Sequence, residues 1–265
     1  MTKRLDARFA KLKAEKRAAL ITFTMAFDPD RDTSLAVLKS LADTGADVVE
    51  LGVPFSDPMA DGPTIQLAGN RALEAGATLK GVLDIVREFR KTNSDTPVIL
   101  MGYFNPVFRY GAENFARDAV EAGADGAIIV DLPPEELQEL QPAADKHEFA
   151  LIRLLAPTTP DDRLVTMMQG ARGFAYYIAV AGITGQKSAD LGALENRVAH
   201  LRRYVNIPLA VGFGVKSPDQ AAAIARFADG VVVGSALVER VAGQPKDAVR
   251  SASDFVGSLA AAIRA

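Results

Sequence analysis

Residues 48–66 read VVELGVPFSDPMADGPTIQ, and the reading of the whole chain starts from the way this stretch changes character. Val48 to Leu51 is an apolar run with a carboxylate, Glu50, in its middle. The run breaks at Gly52 and Pro54 and gives way to a polar loop carrying Ser56, Asp57 and Asp61. Gly62-Pro63 closes the loop, and Pro63 suits the first turn of a helix, where its missing N–H would have had no acceptor. A glutamate inside an apolar strand is costly unless it is used or paired. Two readings stay open at this point: Glu50 pairs with a neighbouring Lys or Arg, or it belongs to a site.

The same rhythm extends in both directions. Eight apolar runs punctuate the chain: ALITFTMAF (19–27), DVVELGV (47–53), PVILMGYF (97–104), GAIIVDL (126–132), FALIRLL (149–155), GFAYYIAV (173–180), IPLAVGFG (207–214) and DGVVVGSA (229–236). They are rich in β-branched and aromatic residues and do not alternate with polar ones, the pattern of parallel strands covered on both faces. Amphipathic segments lie between them, such as TSLAVLKSLADTG (33–45) and AENFARDAVEAG (112–123), each ending on a glycine suited to a helix C-terminus. Eight strand–helix units predict an α/β fold, a closed (β/α)8 TIM barrel, with a doubly wound open sheet as the alternative. GADVVELGVP, GADGAIIVDLP and FADGVVVGSA repeat an Ala-Asp pair before an apolar run. The first 17 residues read as an extra N-terminal helix plugging the barrel's N-terminal end, and DAVRSASDFVGSLAAAIRA as a closing helix. No linker-like segment divides the chain, so residues 1–265 are expected to form a single domain.

Composition narrows the function classes. The net charge is −3, with no basic surplus to hold nucleic acid or anionic lipid. No apolar run approaches the roughly 18 residues needed to span a membrane. The charged N-terminus lacks the apolar centre of a signal peptide, so a cytoplasmic protein is expected. There is no cysteine, hence no thiolate nucleophile and no zinc–cysteine site. The two histidines, His147 and His200, fall in the charged segments ADKHEF and RVAHLRRY and read as surface helix residues.

In such a barrel, chemistry sits in the loops that follow the strands. Gly182 and Gly185 follow the sixth run, Gly212-Phe213-Gly214 the seventh, and Gly234-Ser235 the eighth, where they open the helical segment ALVERV. Glycines let backbone N–H groups approach phosphate oxygens, and Ser235 adds a hydroxyl, so a phosphate site is expected there rather than mere turn glycines. No GxxxxGK[ST] run signals a nucleotide P-loop. Glu50 and Asp61 form a possible acid–base pair in different environments. Apolar surroundings should raise the pKa of Glu50 towards neutrality, whereas Asp61 in its polar loop should stay ionised. Tyr176, in the sixth run, fits either a packing or a chemical role. Lys187 and Lys216 lie in loops rather than within strands, which argues against a Schiff-base aldolase, and no histidines are placed for a metal-dependent one. A carbon–carbon lyase whose leaving group stabilises its own electrons remains.

PFSDPMADGPTIQ (54–66) closely resembles the signature of tryptophan synthase alpha subunits, and the resemblance runs essentially end to end. It implies cleavage of indole-3-glycerol phosphate to indole and glyceraldehyde 3-phosphate in tryptophan biosynthesis. By resemblance, Glu50 and Asp61 are the catalytic acids and Tyr176 the active-site tyrosine. Gly185, Gly214, Gly234 and Ser235 fall on phosphate-binding positions. Phe23 and Met101 fall on the indole pocket, Met101 in place of a more usual Leu. Thr184 falls on the threonine that latches its loop against Asp61. Val180 departs from members that carry Arg there, which bears on loop closure and not on the chemistry.

The loop 103–110 places Phe104, Val107, Phe108 and Tyr110 close together, either folded back on the barrel or forming a protein interface. The resemblance implies docking on a tryptophan synthase beta subunit in an alpha2-beta2 heterotetramer that channels indole, with Asp57, Asn105, Phe108 and Pro133 in the docking region. It also implies that pyridoxal phosphate belongs to that partner and that this chain needs no cofactor or metal. Two alternatives are a stand-alone lyase and a catalytically weak subunit that activates the beta chain.

Overall fold

A computed structural model describes residues 3–179 and 191–265. Its strands are β1 (Ala19–Met25), β2 (Val48–Gly52), β3 (Val98–Gly102), β4 (Gly126–Ile129), β5 (Ala150–Leu151), β6 (Arg153–Leu155), β7 (Ala175–Ile178), β8 (Leu209–Gly212) and β9 (Gly230–Val233). The helices are α1 (Lys3–Ala14), α2 (Arg31–Thr44), α3 (Pro63–Glu74), α4 (Leu79–Arg90), α5 (Phe104–Tyr110) and α6 (Ala112–Ala122), then α7 (Gln141–Lys146), α8 (Asp161–Met168), α9 (Leu191–Leu201), α10 (Pro218–Ala225), α11 (Ser235–Gly243) and α12 (Ala248–Arg264). All strand pairings are parallel, in the order β5-β4-β3-β2-β1-β9-β8-β7-β6.

The expected run 149–155 is the one that divides. It forms β5 and β6 on either side of Ile152, β5 pairing with β4 and β6 with β7. One run therefore joins the two ends of the sheet, and the Ile152 N–H donating to the Ala127 carbonyl (2.9 Å) marks the join. The chain is a TIM barrel with eight strand positions, one of them served by two short strands.

Alternation sorts the strand residues between two cores. Ile21, Val48, Ile99, Ile128, Ile152, Phe174 and Val232 face the barrel axis, and Leu5, Phe9 and Leu12 of α1 join the same cluster, with the Phe9 and Phe174 rings 5.6 Å apart. The N-terminal helix thus plugs the bottom of the barrel, as its amphipathic pattern predicts. The intervening residues pack outward against the helices. Gly123 ends α6 with φ +99, a left-handed conformation that glycine adopts without strain.

The Ala-Asp repeat has a structural meaning. Asp47, Asp125 and Asp229 each precede a strand, and each accepts the N–H of a residue on the neighbouring strand: Leu20 (2.9 Å), Val98 (2.8 Å) and Leu209 (2.8 Å). Each is also held by arginine. Arg17 grips Asp47 through two nitrogens at 2.7 and 2.9 Å, Arg4 and Arg90 take Asp125 at 2.6 and 3.0 Å, and Arg202 takes Asp229 at 2.9 Å. These staples close the N-terminal rim, opposite the face where barrel chemistry lies.

The aromatic segment 103–110 is a short helix, α5, and not a loop. Val107 is buried and Phe104 and Tyr110 are half-buried, so they fold back on the barrel; Phe108 alone of the four is exposed, at 64%. Among the described residues no helix is long and apolar enough to cross a membrane.

Candidate active site

Strand register assembles the site at the C-terminal mouth. Phe23 on β1 lies beside Glu50 on β2, and Gly52 lies beside Met101 on β3. The Phe23 ring fills the space over Gly52, where a Cβ would fall 2.7 Å from Phe23 Cζ. Glu50 is 1% exposed, makes no ion pair among the described residues, and its Oε1 has no hydrogen-bond partner. Among the described residues no Lys or Arg pairs with this buried acid. Loss of hydration alone pushes its carboxyl up to about 8.

Tyr176 projects from β7 on the opposite side of the barrel. Its ring lies against Gly212, where a Cβ would come 2.5 Å from the Tyr176 hydroxyl. Burial raises the phenol above its ordinary value, and the nearby Glu50 charge adds to the effect. The two groups thus share one desolvated space.

Asp61 sits half-buried in the segment between β2 and α3. The Tyr103 hydroxyl accepts the Ala60 N–H (3.1 Å) and donates to the Asp61 carboxylate, while Gln66 Nε2 donates to the Asp61 carbonyl (2.8 Å). Burial raises the Asp61 pKa and the Tyr103 hydrogen bond lowers it. The sequence leads one to expect an ionised acid in a polar loop; the fold half-buries it and shifts its pKa upward. Tyr103 itself is pushed up to about 12, first by burial. Sequence reading missed Tyr103 as a partner of Asp61; its one signal is a phenol at the C-terminal end of the third apolar run.

The described glycines flank this mouth. Gly214 has φ +62, and Gly234 precedes α11 with no side-chain cap. The first intrahelical bonds run from Leu237 and Val238 to the Gly234 carbonyl, so the Ser235 and Ala236 N–H groups lie ahead of them at the positive end of the helix dipole. Thr64 Oγ1 donates to Glu239 Oε1 (3.0 Å), joining α3, which follows the Asp61 segment, to α11. Val180, Gly182, Thr184, Gly185 and Lys187 lie outside the described residues.

Other expected positions are placed away from the mouth's interior. His147 and His200 lie at the surface, their Nε2 atoms 2.8 Å from Glu113 and Asp161. Asp57, Asn105, Phe108 and Pro133 are all exposed. Among the described residues no group of three or more His, Asp or Glu is arranged to hold a metal ion.

Comparison with known proteins agrees with this geometry. A sequence model of the family described as "Tryptophan synthase alpha chain" matches residues 9–264. The tryptophan synthase subunit alpha of Legionella pneumophila str. Paris is 42% identical, with a TM-score of 0.93 over 98% of each chain. A structure from Aquifex aeolicus VF5 is 39% identical, with a TM-score of 0.90 over 99% of each chain. Tryptophan synthase from M. tuberculosis in an open form gives 37% identity and a TM-score of 0.89 over 99% of each chain. A barrel whose mouth holds a desolvated glutamate facing a tyrosine, matched along nearly its whole length, belongs to the tryptophan synthase alpha chain family, the carbon–carbon lyases that cleave indole-3-glycerol phosphate in tryptophan biosynthesis.

Proposed function

We propose that Glu50 and Asp61 carry the lyase chemistry and that the single barrel domain needs no cofactor of its own. The observation that supports this most directly is the buried Glu50 carboxyl, pushed up to about 8 with no partner on Oε1. Near neutral pH such a group is mostly protonated, so it can give a proton and then take one back. Indole cannot leave as a bare carbanion. Glu50 protonates the indole C3, and the resulting indolenium accepts the electrons of the breaking carbon–carbon bond. The glycerol hydroxyl that becomes the aldehyde gives its proton to Glu50. Asp61, held by Tyr103, accepts a hydrogen bond from the ring N–H and stabilises the cation more in the transition state than in the ground state.

Phe23 and Met101 hold the indole ring, with Tyr176 beside it. Gly185, Gly214, Gly234 and Ser235 hold the phosphate, aided by the start of α11. Thr184 latches its loop over Asp61 and excludes water. The exposed Phe108, with Asp57, Asn105 and Pro133, forms the face that docks on a beta subunit in a cytoplasmic alpha2-beta2 assembly; pyridoxal phosphate is that partner's.

Indole and glyceraldehyde 3-phosphate released from indole-3-glycerol phosphate, measured with and without a beta subunit, test the reading. The chain has no Trp, so the protein adds no indole emission of its own to that of substrate and product. Slow cleavage that rises sharply with the partner is expected, and Glu50→Gln should lower turnover by roughly 10² to 10⁴. A Glu50→Gln enzyme retaining most turnover overturns the mechanism, and fast cleavage without the partner overturns the need for docking.

A further inference from the structure

Arg153, on β6, is a buried cation, 5% exposed, without an ion-pair partner among the described residues. Its Nε donates to the Met167 carbonyl (3.2 Å), Nη1 to the Leu151 carbonyl (3.2 Å) and Nη2 to Gln141 Oε1 (3.0 Å). Asp145 acts on it at longer range and is itself paired with Arg172 at 3.3 Å. A guanidinium has five N–H donors. Three go to neutral oxygens here, which leaves one on each terminal nitrogen, the number a carboxylate takes in a forked pair.

The same side chain lines a cavity of about 540 Å³. The cavity lies where the sheet parts. Beyond the Ile152–Ala127 bond no described backbone hydrogen bond links β4 to β6. Much of its wall is apolar, including Ile129, Leu137, Leu151 and Leu154. The charged groups it does hold are engaged: Arg163 pairs with Glu135, and Asp131 accepts the Phe104 N–H. Phe23, Glu50, Asp61, Met101 and Tyr176 do not line it, although Val130 and Leu154 of its wall pack in the barrel cluster beside Met101 and Tyr176, and Pro133 on its rim belongs to the proposed docking face.

We infer that this cavity is a second binding site, for a small monocarboxylate with an apolar body. The carboxylate takes the two unspent Arg153 hydrogens and neutralises a charge that burial leaves expensive. The apolar body covers Ile129, Leu137 and Leu151, and the volume lies within the range of small-molecule pockets. A phosphate dianion, hydrated on every side, suits that wall poorly. The inference is independent of the roles proposed for Glu50 and Asp61.

The test uses the whole chain with 3-phenylpropionate and its neutral twin 3-phenylpropanamide, titrated calorimetrically. The acid should bind at least tenfold tighter than the amide. Arg153→Gln should remove that preference while leaving the amide's affinity within about twofold. The wild-type comparison needs no variant and holds even where Arg153→Gln fails to fold. Leu137→Trp, which fills the cavity from its half-buried rim, should abolish binding of both probes with lyase activity unchanged. Equal affinity for acid and amide, or no binding of either, overturns the inference. So does unlimited competitive inhibition of indole-3-glycerol phosphate cleavage by the acid, which would seat it in the barrel mouth.

Discussion

Replacing Glu50 by Gln should make the folded chain more stable, and increasingly so as the pH rises. Unfolded, this carboxyl titrates near its ordinary value of 4.5; folded, burial holds it at about 8. Between those values the native chain keeps a proton that the unfolded chain has released. The unfolded state therefore binds fewer protons, and stability falls as pH increases. The loss begins near pH 4.5, accumulates at about 1.4 kcal/mol per pH unit, and is complete above about pH 8. The full span sets a ceiling of about 5 kcal/mol, which local relaxation and water entry reduce. Glutamine has nearly the same shape and does not titrate, so its own desolvation adds a constant. The difference in unfolding free energy, mutant minus wild type, should grow by roughly 2 to 3.5 kcal/mol between about pH 5 and pH 8. Urea unfolding followed by far-ultraviolet circular dichroism and by the fluorescence of the five tyrosines measures it, provided that the two probes coincide. A difference flat to within about 1 kcal/mol across that range would refute the claim that Glu50 is held protonated by burial. The same carboxyl sets the alkaline limb of the lyase profile, with turnover falling above about pH 8 as the proton donor is lost.

Three further outcomes follow from particular contacts. Tyr103→Phe removes the donor to Asp61 and the acceptor for the Ala60 N–H, and steady-state kinetics should show kcat/KM lower by about 10- to 100-fold, the size of one charge-assisted hydrogen bond. Gly212→Ala places a methyl 2.5 Å from the Tyr176 hydroxyl, so Tyr176 must shift; lyase activity should drop at least about tenfold with a stability loss of roughly 1–3 kcal/mol, and an unchanged kcat would show that Tyr176 only packs. Asp125→Asn strips the counter-charge from Arg4 and Arg90 at the N-terminal rim and should cost about 3 kcal/mol in urea unfolding with kcat unaltered, because the staple lies at the end opposite the chemistry.

The two ends of the barrel show how far sequence reading reaches. Apolar runs such as 47–53 and 229–236 announce strands covered on both faces, because burial of both faces is a local requirement on consecutive residues. Glu50 stands out for the same reason: a charge in such a run is conspicuous wherever the run is placed. The repeated Ala-Asp pairs were equally visible, yet nothing local says that Asp47, Asp125 and Asp229 reach across to the next strand and to arginines elsewhere in the chain. Likewise 103–110 reads as aromatic, and only its packing as α5 shows that Val107 turns inward and Phe108 outward.

The sequence alone determined the parallel barrel, the plugging helix, the face on which chemistry lies and the conspicuous acid in the second strand, all of which follow from periodicity and residue type over short windows. Tertiary structure decided what that acid and its neighbours become. Glu50 has no ion-pair partner among the described residues, Asp61 is half-buried and answers to a tyrosine 42 residues away, and one run divides to join both ends of the sheet. Protonation and pairing depend on which distant groups share a desolvated space, and that is set by the path of the closed chain rather than by any stretch of it.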